Sequence, residues 1–156
     1  MDDFGSIRRE LKKLLTEQGL GVLSTHGEGQ PYASLVAFAA ASDLGELLFA
    51  TPAATRKYAN LVADGRVALL INNCVNSVED FHGATAVTAL GDASVLAGDT
   101  RRAHLELYLS RHPYLREFAL SSTTALIRIT VNRYILVKEF QKVVEVNPPF
   151  TLEQIP

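Results

Sequence analysis

The sequence predicts an antiparallel β-barrel with helical additions. About seven apolar or alternating segments of strand length follow one another, joined mostly by short connections rich in turn formers. Helix-period patterns occur at the start, after the third strand and late in the chain, which is not the βαβ alternation that builds a parallel sheet. Neither GxGxxG nor GxxxxGK(S/T) occurs, so a Rossmann or P-loop fold has no support.

Each element has a local cause. Ile7, Leu11, Leu14 and Leu15 recur at helical spacing with Arg8, Arg9, Lys12 and Lys13 opposite them, and Ser6 is the expected N-cap of this amphipathic opening helix, which Gly19 and Gly21 close. GVLST leads into the turn formers HGEGQP, and YASLVAFAA returns as the second strand of a hairpin. Asp43 and Gly45 mark the next turn, ELLFAT is the third strand, and residues 56–63 form a short helix stopped by Asp64 and Gly65. RVALLIN resumes as a strand. NNCVNSVEDFHG, residues 72–83, is polar, lacks either apolar period and is long for a simple connection, as functional or interface loops are. ATAVTALGDASVLAG reads as a long strand with Gly91 as a bulge or a point of close backbone approach, and Asp99 is placed to cap a helix over residues 100–111, which Pro113 ends. Residues 114–120 add a further helical turn or two. Ile127, Ile129 and Val131 then alternate with Arg128, Thr130 and Asn132, after which Asn132 and Arg133 are expected to turn the chain into YILVKEF and VVEV.

At 156 residues the chain is read as one domain, residues 1–147, followed by a tail over 148–156. A net charge of −2 provides no global field for nucleic acid or anionic lipid. One cysteine, Cys74, excludes an intramolecular disulfide and a CxxC site, and is expected to be a small buried filler. The N-terminus has no apolar signal-peptide core, and the apolar runs are too short to span a bilayer as helices, so a soluble cytoplasmic protein is expected.

The chemistry concentrates in LLFATPAATRKYANL, residues 47–61. An apolar strand delivers Thr51 and Thr55, and a helix then opens on Arg56 and Lys57. A solvated helix face with Thr55 as its cap is the ordinary fate of such residues. Against it, the helix dipole favours carboxylates in the first turn, and two cations stand there instead; a bound phosphomonoester relieves that conflict. His26, His82, His104 and His112 form no HxH or HExxH, so no metal site is expected. His26 is read as a turn residue. His82 and Asp80 are read as partners in loop hydrogen bonding. Tyr58, Phe81, Tyr108, Tyr114, Phe118 and Phe140 are core or interface candidates. No residue carries a signature of nucleophilic or general acid–base catalysis, so the catalytic residues are unknown.

These pieces, in order QPYASLVAF, LLFATPAATRKYANL with RVALLI, and AVTALGDASVL, resemble the pyridoxamine 5'-phosphate oxidase-like FMN-binding split-barrel family. The resemblance runs from near Gly21 to near Val146. It implies a β-rich, six- to seven-stranded antiparallel split barrel of Greek-key type with peripheral helices. By that likeness Thr51, Thr55, Arg56 and Lys57 hold the FMN phosphate, and Ala33, Ser34, Leu35 and Val36, with Ala50, line the isoalloxazine and ribityl chain. The family usually forms homodimers with a flavin at each end of the interface. The strand around Ala86 and Val87, or the loop with Asp80 and His82, is then expected to contribute from the partner.

The oxidase that names the family carries an Arg-x-His element near its C-terminus, and VVEVNPPFTLEQIP has none, so oxidation of pyridoxamine phosphate is not expected. The reading is therefore an FMN-dependent oxidoreductase of unknown substrate. The alternatives are a split barrel that binds haem, with His26 or His82 as axial ligand, one that binds the deazaflavin F420, or a non-enzymatic dimeric flavin carrier.

Overall fold

The computed structural model describes residues 3–139 and 141–148. Seven strands and five α-helices follow in the order α1 (Phe4–Glu17), β1 (Leu20–Gly27), β2 (Gln30–Ala40), β3 (Glu46–Pro52), α2 (Arg56–Ala63), β4 (Arg66–Asn72), α3 (Asp80–Gly83), β5 (Ala86–Val95), α4 (Gly98–Arg111), α5 (Arg116–Leu120), β6 (Thr124–Lys138) and β7 (Lys142–Val146). A 3-10 turn at Pro113–Leu115 joins α4 to α5.

The strands lie in the order β3-β2-β1-β4-β5-β6-β7, and β3 also pairs with β6. Six strands thus close into an antiparallel barrel, and β7 extends β6 outside it. The meander β1-β2-β3 is followed by β4 returning beside β1, which is the Greek-key order. Because β3 and β4 are not neighbours, the chain must cross the barrel end between them, and α2 makes that crossing.

Closure fills the interior with alternate residues of every strand, including Leu23, Phe38, Leu47, Phe49, Leu69, Ile71, Val87, Ile127 and Ile129, all fully buried. The Ile7, Leu11, Leu14 and Leu15 stripe of α1 packs on this core. A second cluster lies outside the barrel, where Leu105, Tyr108 and Ala119 of α4 and α5 cover Ala39, Leu48 and Leu126 on β2, β3 and β6. These helices occupy one wall and leave the wall of β2, β1 and β4 uncovered.

Local geometry follows the turn chemistry. Glu28 and Gly29 form a two-residue hairpin loop with φ of 52° and 79°, the primed turn that matches the twist of β1 and β2. Gly91 does sit at a bulge: Leu90 opposes Arg133 while Gly91 opposes Val131. That bulge corrects the expected turn at Asn132 and Arg133. The extra residue Asn132 is absorbed opposite Gly91, its amide donating to Asp92 at 2.9 Å, and β6 runs on unbroken for 15 residues.

Three smaller expectations are corrected as well. The cap of α1 is Asp3, whose carboxylate accepts from the Ser6 amide, so Ser6 lies within the helix. The N-cap of α4 is Ala97, and Asp99 falls in the first turn. Cys74 is exposed, because the polar loop that carries it lies outside both apolar clusters. Phe140 and residues 149–156, most of the expected tail, are outside the described residues. No helix among the described residues is long and apolar enough to cross a membrane.

Candidate functional site

β2 and β3 pair only from Phe38 to Ala40 against Leu47 to Phe49. Beyond Phe38 and Phe49 the strands part, so Leu35 and Val36 on one side and Ala50 and Thr51 on the other border an opening in the barrel wall. β3 stays bound to β6 as far as Pro52, and β2 stays bound to β1, so the opening is held by rigid strands on both sides.

A residue that the sequence did not single out for this place spans the top of the opening. Tyr108 of α4 is 1% exposed, and its hydroxyl donates to the Ala37 carbonyl at 3.2 Å. Burial pushes that hydroxyl up to about 12, partly offset by the Ala50 backbone. Next to it His112, 2% exposed, stands with Nε2 2.6 Å from the Phe38 carbonyl and Nδ1 3.0 Å from the Tyr114 hydroxyl. His112 is thereby a strut between the end of α4 and β2.

The threonine and cation group sits at the lower end of the same opening. Thr51 is 1% exposed, and its hydroxyl lies 3.0 Å from that of Thr55. Thr55 caps α2: its Oγ1 donates to the Pro52 carbonyl at 2.9 Å and accepts from the Tyr58 amide at 3.3 Å. With Thr55 donating to Pro52, the Thr51 hydroxyl has Thr55 Oγ1 at 3.0 Å and the Pro52 carbonyl at 3.4 Å as its acceptors. Both hydroxyl protons are committed inside the strand–helix turn, and the side chains that project from it are Arg56 and Lys57.

Among the described residues neither cation forms an ion pair with a carboxylate. Arg56 instead lies over the Tyr32 ring, 5.4 Å from its centroid. The cap uses the Tyr58 amide and the Ala59 amide pairs with the Thr55 carbonyl, which leaves the first amides of α2 pointing outward beside the two cations.

The four residues expected on β2 divide by strand alternation. Ala33 and Leu35 face outward, Leu35 with 64% of its surface exposed, while Val36 packs in the core. Ser34 is directed inward as Val36 is, and its Oγ is buried without a hydrogen-bond partner. A buried hydroxyl without a partner costs about 1–3 kcal/mol. Ala50 is half-buried at the rim.

Beside the cradle lies a cleft of about 680 Å³ between the β1–β2 hairpin and α2, lined among others by Glu28, Gln30, Tyr32, Arg56, Ala59 and Asn60. The Asn60 amide donates to Thr25 at 3.1 Å, which ties α2 to the strand beneath it.

The other expected residues lie elsewhere. His26 is on β1 and not in the turn, with Nε2 2.9 Å from Asp64. Asp64 is held well below the usual carboxylate range, first by hydrogen bonds to the Arg66 side chain and backbone; burial opposes this and His26 adds to it. The Asp80 carboxylate accepts from the Val75 and Ser77 amides at 2.9 and 3.1 Å, the loop hydrogen bonding expected of it. His82 is exposed on α3. Val87 is fully buried and so faces the core rather than a partner, whereas Ala86 is half-buried. Phe81, Tyr114 and Phe118 are exposed, and Tyr58 packs against the barrel core. No group of three or more His, Cys, Asp or Glu among the described residues is placed to hold a metal ion.

Comparison with known proteins agrees with this geometry. No curated protein matches the chain. The heme binding protein from Mycobacterium smegmatis superposes with a TM-score of 0.78 at 20% identity, over 88% of this chain and 56% of that one. ChuZ of Campylobacter jejuni gives 0.79 at 13% identity, over 95% and 62% respectively. A FAD-binding protein from Mesorhizobium loti gives 0.67 at 18% identity, over 83% and 90%. The chain therefore spans little more than half the length of the heme binding protein, and at these identities the likeness is one of fold. The model of the pyridoxamine 5'-phosphate oxidase family matches residues 7–138, and with that match over a closed barrel split between β2 and β3, the chain belongs to the pyridoxamine 5'-phosphate oxidase family.

Proposed function

We propose that the chain is an FMN-binding flavoprotein, active as a cytoplasmic homodimer in oxidation–reduction of a small molecule. The observation that carries the reading is the pair of cations without carboxylate partners, Arg56 and Lys57, at the N-terminus of α2 and at the mouth of the opening between β2 and β3. The donor set suits a phosphate dianion: two cationic side chains, outward-facing amides and the positive end of a helix dipole. The wall above it suits the rest of the molecule, since Ala33, Leu35 and Ala50 offer small or apolar surface, and the Ser34 hydroxyl has hydrogen-bonding capacity to spare.

When bound, the flavin supplies hydride and single-electron transfer at its ring system. The chain's part is to bind and orient. Arg56 and Lys57 fix the phosphate. The Thr51–Thr55 pair keeps the strand–helix turn in shape, and Tyr108 ties α4 to β2 at the Ala37 carbonyl. Among the described residues of this opening Tyr108 and His112 are engaged with the Ala37 and Phe38 carbonyls, so the reading assigns proton transfer to solvent or substrate.

The dimer is supported by the uncovered wall. Leu35 faces Val22 across β1 and β2, and Val22 faces Leu70 across β1 and β4, which makes an outward apolar row. Leu20, Leu35 and Leu70 are 56%, 64% and 38% exposed. Such a contiguous patch marks an interaction surface, and a second copy would also close the outer side of the opening beside Leu35.

A second reading, haem with His26 or His82 as axial ligand, is raised by the Mycobacterium smegmatis protein, and His82 stands exposed on α3 and not on the strands that border the opening. His26 Nε2 is 2.9 Å from Asp64, and His112 Nε2 is 2.6 Å from the Phe38 carbonyl. F420 has an acidic tail that asks for more cations than Arg56 and Lys57.

The test is titration with FMN at micromolar concentration, followed by anaerobic addition of NADH or NADPH. Saturable binding with flavin reduction supports an oxidoreductase. Binding without turnover under any donor leaves a carrier, and failure to bind rejects the proposal.

A further inference from the structure

We propose that the cleft between the β1–β2 hairpin and the outer face of α2 is a second part of the cofactor site, shaped for the adenosine monophosphate end of a flavin dinucleotide. The inference rests on the flavin reading above and extends it past the first phosphate. Arg56 belongs to both regions: it opens α2 at the cradle and lines the cleft. A group held at the first turn of α2 therefore continues into the cleft without crossing any other element.

The volume is suitable. About 680 Å³ lies within the roughly 300–1,000 Å³ of small-molecule sites, and a single phosphate at the helix terminus leaves it unfilled. The space exists because of small side chains. Ala59 and Ala63 are the residues that α2 turns toward the cleft, together with Asn60, whose amide is tied back to Thr25. On the opposite side Gly27 admits the Asn60 side chain, since a Cβ there would stand 2.5 Å from Asn60 Oδ1.

Charge is divided between the two ends of the cleft. The cation is at the cradle end, where Arg56 is placed to neutralise the second phosphate of a pyrophosphate. The Tyr32 ring, 5.4 Å from the guanidinium carbon, offers flat apolar surface to the nucleoside that follows that phosphate. The acid is at the hairpin tip, where Glu28 projects from the primed turn with φ 52° and is placed to accept from the exocyclic amine of the purine, the end of the nucleotide farthest from its phosphate. Arg56 and Glu28 line one cleft and yet form no ion pair, so the two charges remain available to a ligand lying between them.

Calorimetric titration of the full chain with FMN and with FAD tests this, in wild type and in Ala59→Leu, which fills the cleft from an exposed helical position without touching the cradle. The expected result is FAD binding about tenfold tighter than FMN in wild type, with that preference lost in Ala59→Leu while FMN affinity stays within about twofold. Tyr32→Ala should also lower FAD affinity more than FMN affinity. FMN binding with no preference for FAD, or equal losses for both flavins in Ala59→Leu, overturns this inference alone. Binding of neither flavin overturns the flavin reading as well. If Ala59→Leu does not fold, Ala63→Leu carries the same expectation.

Discussion

Replacing Lys57 and Thr55 separately by alanine should divide the cradle into a ligand-binding part and a structural part. Lys57 forms no ion pair with a carboxylate among the described residues, so its removal leaves no buried partner unpaired. It also removes a cation from the positive end of α2, a change of a few tenths of a kcal/mol in favour of the helix. Stability of the ligand-free chain should therefore hold or rise slightly. Its hydrogen bond to a phosphate dianion is of the charge-assisted kind, about 1.5–3 kcal/mol, so FMN affinity should fall about tenfold to a hundredfold or more.

Thr55→Ala acts in the opposite sense. The cap on the Tyr58 amide is lost, at about 1 kcal/mol. The Thr51 hydroxyl, 1% exposed, is left with only the Pro52 carbonyl at 3.4 Å. Together these cost about 1–2 kcal/mol, or roughly 2–8 °C in Tm for a chain of this size. FMN affinity should drop less than in Lys57→Ala. The assays are thermal melts of the ligand-free proteins and flavin fluorescence titrations. Unchanged FMN affinity in Lys57→Ala would mean that the phosphate sits elsewhere, and a larger binding loss in Thr55→Ala would mean that the threonine hydroxyl, not the cation, is the main donor.

Tyr108→Phe removes the buried hydroxyl at the head of the opening and leaves the Ala37 carbonyl without it; a loss of about 1–3 kcal/mol in denaturant unfolding is expected, with weakened FMN binding. Gly91→Ala places a Cβ against the Thr130 carbonyl at the bulge, a backbone group that cannot rotate away, and should cost about 3 kcal/mol or more. Asp64 has its pKa depressed below its ordinary value of 3.8, so its contribution to stability is present above that value and is lost as pH falls toward the folded value. Asp64→Asn should accordingly narrow its stability gap to wild type between about pH 4 and pH 2, and a gap that does not change over that window refutes the assignment.

Much of the barrel was legible because its signals are local. Residues 56–63 carry a capping threonine before them and Asp64 and Gly65 after them, and α2 has those bounds. Gly91 interrupts an alternating run as a bulge or a close backbone approach does, and the register shifts there. Asn132 and Arg133 misled for a related reason: two polar residues between apolar runs have the pattern of a hairpin turn, and only pairing with β5, some 40 residues back, shows that the extra residue is absorbed instead. Cys74 was misjudged because the usual burial of thiols says nothing of a loop lying outside both apolar clusters.

The candidate site was legible in part for the same reason. Thr51 and Thr55 stand four residues apart and do meet, but their mutual hydrogen bond, which commits both protons, follows from three-dimensional geometry. Tyr108 and His112 act on carbonyls 71 and 74 residues away, at separations where no local pattern operates. The Tyr32–Arg56 surface likewise joins two elements that are distant in sequence.

The most direct measurement of the central claim is the absorption and fluorescence of the protein titrated with FMN, with haemin as a parallel titrant. The account predicts quenched, band-shifted flavin saturating at one FMN per chain at micromolar concentration, and no Soret shift from ordered haem ligation. An unperturbed flavin spectrum together with a sharp, saturable Soret band would contradict it.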